Sequence, residues 1–367
     1  MKKIYFNAKF DGFDAPETNS VLLSDDRIVY CGRKEEVLFQ KDSETKQVDL
    51  NCKKILPAAY IFQKTLYQKN AKNNNFESKL SIFHKNIKNL EEKCIKNGVA
   101  TVVYILQDEG EFEDLKLLAE EHKIRIDFLC FVDIVKCKKV MDENCSSFHN
   151  YKNHLKIGGY FLQVDGAHET HEAWVKKKYR GTQNSFGYPL VNEKHIEHYL
   201  KSAFSDKKQI IVEANGDRSV DLVLDVFKRL KQDKKFEDAK LVIEHNGLLS
   251  GKLIKEFSKN GVGLLRLEKE KLRGFLKGHF ENNMLKKLLK RGIKYLISFE
   301  DIYCYADIFL ADKNKNNSQK LNSISVIPSE LFCDFEKGSI EAGKVATFCI
   351  VGDDISLIVN GNEIKVD

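Results

Sequence analysis

The sequence predicts an α/β fold: a (β/α)8 TIM-like barrel beside a small β-sandwich domain built from both chain termini. Three observations carry this. Short apolar runs alternate with helical patterns about eight times between residues 55 and 299, as in a parallel sheet covered on both faces. Strand-like segments occur at both ends of the chain. The 367 residues suit one barrel with an added sheet. The expected boundaries are residues 1–53 with 335–367 for the sandwich and 54–334 for the barrel. An open doubly wound sheet is the runner-up, but no glycine-rich phosphate loop is present.

The N-terminal segments KIYFNAKF, SVLLSD, RIVYCG and QVDL read as strands, with Asp25-Asp26 as a hairpin turn. The barrel strands follow as ILPAAYIF (55–62), ATVVYIL (100–106), RIDFLCFV (125–132) and GGYFLQV (158–164). The later four are QIIVEA (209–214), KLVIEH (240–245), GVGLLRL (261–267) and IKYLISF (293–299). Between them, SIFHKNIKNLEEKCIKNG, EDLKLLAEEH, NEKHIEHYLKSAF and SVDLVLDVFKRLKQ repeat apolar residues at helical spacing. VATFCIVGD, ISLIVN and NEIKV close the chain as strands, and Asn360-Gly361-Asn362 reads as a tight turn.

Composition excludes several classes. Hydrophobic residues make up 42% and charged residues 31%, so a large core forms and disorder is not expected. The net charge of +6 is not gathered into a basic, aromatic-rich stripe, which argues against nucleic acid. No apolar run reaches the length of a membrane span or a signal peptide. The nine cysteines form no C-x-x-C pair and read as reduced thiols of a cytoplasmic protein. A homodimer is the base-rate expectation for assembly.

Barrel chemistry sits at the C-terminal ends of the strands. Those ends carry Gln63, Lys64 and Thr65; Asp165-Gly166; Glu213 to Asp217; Glu244-His245; and Glu300-Asp301. Glu213 is the puzzle, because it closes an apolar strand with no cation beside it in sequence. A lone buried carboxylate costs several kcal/mol or more, so Glu213 lies at a solvated end or within a site. Asp217, just before SVDLVLDVF, suits a helix cap better than a site.

At these residues the sequence resembles the amidohydrolase superfamily, most of all the branch containing N-substituted formamide deformylase. The branch motif His-Ala-Ile-Gly-Asp-Arg-Ala-Val-Asp is matched by Glu213-Ala214-Asn215-Gly216-Asp217-Arg218-Ser219-Val220-Asp221. Its Ile-Glu-His is Ile243-Glu244-His245, and its strand-four Asp-Gly is Asp165-Gly166. The C-terminal signature Gly-x-Ile-x-x-Gly-Lys-x-Ala-Asp is met by Gly338 to Ala346, with Thr347 in the place of the aspartate. The resemblance implies hydrolysis of a non-peptide carbon–nitrogen bond in a small molecule bound at the barrel mouth. Asp165, Asn215 and Asp217 are then candidates for holding the substrate.

The departures from the family matter equally. Glu213 stands where the family places a metal-binding histidine. The two strand-one histidines fall on Gln63 and Thr65. The bridging lysine falls on Phe161, and the strand-eight aspartate on Glu300. Catalytic zinc needs about three protein ligands and an open position. The remaining set, Glu213, His245 and Glu300, offers one divalent ion (zinc, manganese or iron) at most, and a metal-free pocket is the equal alternative. Two hypotheses follow. One is a mononuclear or metal-free hydrolase with Glu300 as base and His245 polarising the carbonyl. The other is an inactive pseudo-hydrolase serving as a binding scaffold.

Five further sites have plainer readings. His168 and His171 read as a polar loop rather than a replacement ligand pair. His195 and His198 belong on an outer helix face. Trp174 reads as core, and Arg218 as a structural partner. Cys130, Cys137 and Cys145 read as packing residues.

Overall fold

The computed structural model describes residues 1–10, 17–64, 66, 79–247, 249–268, 281–299, 302, 305 and 317–364. Near the N-terminus lie β1 (Lys2–Phe6), β2 (Lys9–Phe10), β3 (Ser20–Ser24), β4 (Arg27–Gly32), β5 (Lys46–Asp49) and β6 (Lys54–Pro57). The barrel strands are β7 (Ala59–Lys64), β8 (Val99–Leu106), β9 (Asp127–Asp133) and β10 (Leu155–Gln163). They continue as β11 (Gln209–Glu213), β12 (Leu241–Glu244), β13 (Gly263–Glu268) and β14 (Tyr295–Phe299). The last three strands are β15 (Phe348–Val351), β16 (Ile355–Val359) and β17 (Asn362–Ile364).

Strands β7 to β14 form one eight-stranded parallel sheet in sequence order. The sheet is nearly closed: the seam between β7 and β14 is bridged by the Ser298 hydroxyl, which accepts from the Phe62 amide at 2.9 Å. Alternation along each strand sorts its side chains. Tyr60, Phe62, Val103, Phe131, Phe161, Ile211, Val242, Leu265 and Leu296 fill the barrel interior, with Leu331 and Phe332 beneath them. Val102, Phe128, Leu162, Ile210 and Ile243 face outward into the core shared with the helices.

The run 55–62 serves two sheets. Pro57 lacks the amide that a central strand must donate. The segment before it, β6, joins β15, β16, β17 and β2 in a five-stranded sheet, while β7 opens the barrel. β1, β3, β4 and β5 form a second terminal sheet. Tyr5, Val21, Leu23, Ile28, Ile55, Phe348, Ile350 and Ile358 bury a common apolar core between the two sheets. Two sequence-read turns take the left-handed backbone they require: Asp25 at φ 52°, and Asn360-Gly361 at 50° and 77°. No helix among the described residues is long and apolar enough to cross a membrane. The eight cysteines among those residues are free thiols.

Candidate functional site at the barrel mouth

The cation missing from the sequence around Glu213 comes from strand one. Lys64, the last residue of β7, places its ammonium 2.8 Å from Glu213 Oε1 and 3.0 Å from Glu244 Oε1. A register shift between Ala59 and Tyr60 sets the facing of this strand. Tyr60 and Phe62 point into the barrel interior, and Lys64 follows them with the period of two. Gln63 turns aside and donates from its side chain to the Lys64 carbonyl at 2.8 Å. The Lys64 ammonium lies 6.0 Å from the centroid of the Phe161 ring, within cation–π range.

Both carboxylates are buried, Glu213 at 6% exposure and Glu244 at 0%. Their placement side by side follows from register, since Glu213 pairs with Glu244 across β11 and β12. Burial pushes the Glu244 carboxyl up and the Glu213 charge adds to this; Lys64 opposes both, leaving Glu244 at about 7. For Lys64, burial pulls the ammonium down, but Glu244 and Glu213 outweigh it and the net direction is upward. Asn246 donates to Glu244 Oε1 at 3.2 Å, and Asn215 donates to Glu213 Oε1 at 3.1 Å. Glu244 Oε2 is buried with no hydrogen-bond partner among the described residues.

Asp165 organises the loops around this pair. Its Oδ1 accepts from the Asn215 amide at 2.8 Å. Its Oδ2 accepts from the amides of Trp174 and Gly216, each at 2.9 Å, and from the Ser219 hydroxyl at 2.6 Å. The carboxylate thus ties the loop after β10 to the N-terminus of the helix Asp217–Leu230. Burial raises its pKa and these donors oppose the rise; the net direction is upward. Gly216, not Asp217, is the N-cap of that helix. A Cβ on Gly216 would meet the Trp174 carbonyl oxygen at 2.0 Å, so backbone takes the place of a capping side chain there. Asp217 sits in the first turn, where the helix dipole favours an acid, and accepts from the Lys176 amide at 2.7 Å.

The structure brings together Glu213, Asn215 and His245 among the sequence-read site residues, with Asp165 behind them. Asn215 is buried and spans the site, donating also to the Gly166 carbonyl at 3.1 Å and accepting from the Asn246 amide at 3.1 Å. His245 is 2% exposed, and its Nδ1 lies 2.9 Å from the Ala214 carbonyl. That contact makes Nδ1 the donor, so the neutral ring carries its lone pair on Nε2. Glu300 and Thr65 lie outside the described residues. His168 is half-buried, with Nε2 2.8 Å from the Asn215 carbonyl, and His171 stacks on Tyr179 at 4.5 Å. Arg218 lies over the Trp174 and Phe186 rings at 5.7 and 5.2 Å, and Trp174 is half-buried rather than core. His195 and His198 are exposed on the helix Glu193–Ser205.

The sequence places Lys64 and Glu244 at the strand ends but gives neither a role in the site. The signal was available: a lysine ending the first barrel strand, and two glutamates ending neighbouring strands, one of them without a local cation. Among the described residues, which leave out Glu300, no group of three or more His, Cys, Asp or Glu side chains is arranged to hold a metal ion. The two glutamates point at the Lys64 ammonium, and the Phe161 ring centroid lies 6.0 Å from it.

Comparison with known proteins places this geometry. A profile of the Amidohydrolase family matches residues 69–295. Protein LONG AFTER FAR-RED 3 of Arabidopsis thaliana is 23% identical over 136 residues. That stretch spans 37% of this chain and 23% of the plant protein, so the chain covers about a quarter of that relative's length. An uncharacterized metal-dependent hydrolase from Pyrococcus furiosus superposes with a TM-score of 0.70 at 14% identity, covering 94% of this chain and 98% of the other. An atrazine chlorohydrolase from Arthrobacter aurescens TC1, complexed with zinc, superposes at 0.62 with 12% identity, covering 98% and 94%. These likenesses establish a shared fold across nearly the whole length. Taken with the profile match over most of the barrel, they mean that the chain belongs to the amidohydrolase family.

Proposed function

We propose that this protein binds a small amide or related carbon–nitrogen compound at its barrel mouth and has lost metal-dependent hydrolysis. The observation that carries the reading is the Lys64 ammonium, shared between Glu213 and Glu244 at 2.8 and 3.0 Å. A lysine has three donors. Two are spent on the glutamates, and the third, with no partner among the described residues, can meet a carbonyl oxygen. The motif resemblance to the formamide deformylase branch directs the substrate class toward N-substituted amides. An ammonium neutralises the carboxylates as a cation does, but it has no open coordination position at which to acidify water.

A second reading rests on Glu244. A carboxyl at about 7 is matched to general acid–base work near neutral pH, and its Oε2 lacks a partner among the described residues. On that reading the pocket turns over an amide slowly without metal, Glu244 accepting a proton from water while Lys64 polarises the carbonyl.

Elemental analysis of the purified protein, with turnover of N-formyl and N-acetyl amines measured with and without a chelator, separates these. The proposal expects substoichiometric transition metal and no chelator-sensitive turnover. Slow chelator-insensitive turnover with a pH midpoint near 7, abolished in Glu244→Gln, supports the second reading. One tightly held transition metal per chain, with turnover lost on chelation, overturns both.

A further inference from the structure

At the opposite end of the barrel from Lys64, a cleft of about 940 Å³ opens beside the N-terminal ends of β10 and β11. This lies within the range of small-molecule sites. We propose that it binds a phosphorylated small molecule whose remaining part is apolar, such as an aryl phosphate or a nucleotide.

Charge supports this first. Lys207, Lys208, Lys235 and Lys240 line the cleft, and none has a carboxylate partner among the described residues. Lys240 instead meets Cys333 Sγ at 3.2 Å. Deeper cations are already balanced: Lys337 by Asp127, and Lys156 by Asp334 at 2.8 Å. Against the four lysines stand Asp238 and the one surplus carboxylate left when Asp26 and Glu336 share Arg27. The excess is two positive charges. A phosphate monoester carries about −1.5 to −2 at neutral pH, whereas a single carboxylate would leave half of that excess unmatched.

Shape supports it second. Beside the lysines the Phe335 ring lines the cleft, 54% exposed and 5.4 Å from the Lys240 ammonium. Free phosphate would leave this surface uncovered; an attached ring or chain would cover it.

The backbone supports it third. Asn153, His154, Lys207 and Cys333 line the cleft and have positive φ, four of the eleven non-glycine residues that have it among the described residues. Such conformations gather at ligand sites because the surrounding structure must hold them. Lys207 follows the helix Glu193–Ser205 at φ 54°, a position where glycine is usual. Lysine there keeps a charge at the cleft edge at the expense of local ease.

The test is calorimetric titration of the full chain with 4-methylumbelliferyl phosphate and AMP, beside 4-methylumbelliferone and adenosine as phosphate-free controls. Saturable binding of the esters is expected, with the controls weaker by at least about tenfold. A Lys207→Gln, Lys208→Gln, Lys235→Gln, Lys240→Gln variant should lose at least about tenfold in affinity with its melting temperature retained, since three of these lysines are exposed and one half-buried. Raising the salt should weaken binding to the unmodified chain. The proposal is overturned if neither ester saturates at millimolar concentration, if the controls bind equally, or if the variant binds like the unmodified chain.

Discussion

Replacing Lys64 with methionine tests the central ion pair directly. Methionine keeps most of the side-chain volume and removes only the charge and its donors. At an effective dielectric of 20, contact at the observed 2.8 and 3.0 Å is worth about 6 kcal/mol of gross attraction per carboxylate. Most of that offsets desolvation, and breaking a buried pair costs about 3–5 kcal/mol in practice. Lys64 is 32% exposed, which places the expected loss near the lower end, about 3 kcal/mol at pH 8. The cost depends on pH in a definite direction. Glu244 in the folded chain titrates at about 7 rather than 4.5. At pH 5 the Glu213–Glu244 pair has taken up a proton, so Lys64 then answers one carboxylate charge. The loss at pH 5 should fall to about half, roughly 1.5 kcal/mol. Urea denaturation of wild type and Lys64→Met at both pH values measures this difference. Equal losses at pH 5 and pH 8, or a loss under about 1 kcal/mol at pH 8, would refute the assignment of Lys64 as counter-ion.

Three other outcomes are expected. Glu244, raised on folding from 4.5 to about 7, contributes stability that is complete below 4.5 and fades as pH rises through 7; Glu244→Gln should remove about 3 kcal/mol of that slope, read from melting temperatures between pH 4 and 8. Asp127, held down at about 2 against 3.8 because Lys337 and His154 outweigh its burial, does the reverse. Its contribution of about 2 kcal/mol is present above pH 3.8 and lost as pH falls through 2; Asp127→Asn should cost about 3–5 kcal/mol at pH 7 by stranding buried Lys337, measured by urea denaturation. Asp165→Ala strands three amides and a hydroxyl, so a loss of at least about 3 kcal/mol and faster amide exchange at Gly216 and Trp174 are expected by hydrogen-exchange mass spectrometry.

All eight barrel strands could be read from the sequence, because strands buried on both faces leave near-continuous apolar runs. What escaped was the division at Pro57. An apolar run records burial but not which sheet receives it. The helix start near Asp217 was legible to within a residue; its cap was not, since the Gly216–Trp174 contact joins segments 42 positions apart. At the site, Glu213 announced itself as an anomaly, but its partner is 149 positions away in sequence. Only barrel closure brings Lys64 to it. Facing was the second obstacle. A register shift at Ala59/Tyr60 decides whether Gln63 or Lys64 points inward, and a shift of one residue exchanges the two faces of a strand. Motif alignment counts residues and does not register such a shift.

The proposed loss of metal-dependent hydrolysis rests on what a lysine can and cannot do at this place. Two buried carboxylates on adjacent strands demand a cation of some kind. Lys64 meets that demand from within the chain, at fixed stoichiometry and without an uptake step. What it cannot do follows from its chemistry. A metal ion accepts a lone pair and so acidifies a bound water, whereas an ammonium only donates hydrogen bonds. Its remaining donor therefore favours a ligand that presents an oxygen acceptor. The Phe161 ring, its centroid 6.0 Å from the ammonium, gives the other side an aromatic face. Glu244 at about 7 then sets the charge of this cluster. The three groups Lys64, Glu213 and Glu244 sum to zero below that pH and to one negative charge above it. Neutral amides should bind across this range, while anionic analogues of the same shape should bind better at pH 5.5 than at pH 8. A titration series with N-formylglycine and its methyl ester distinguishes the two. A steeper pH dependence for the ester than for the acid would contradict this charge assignment.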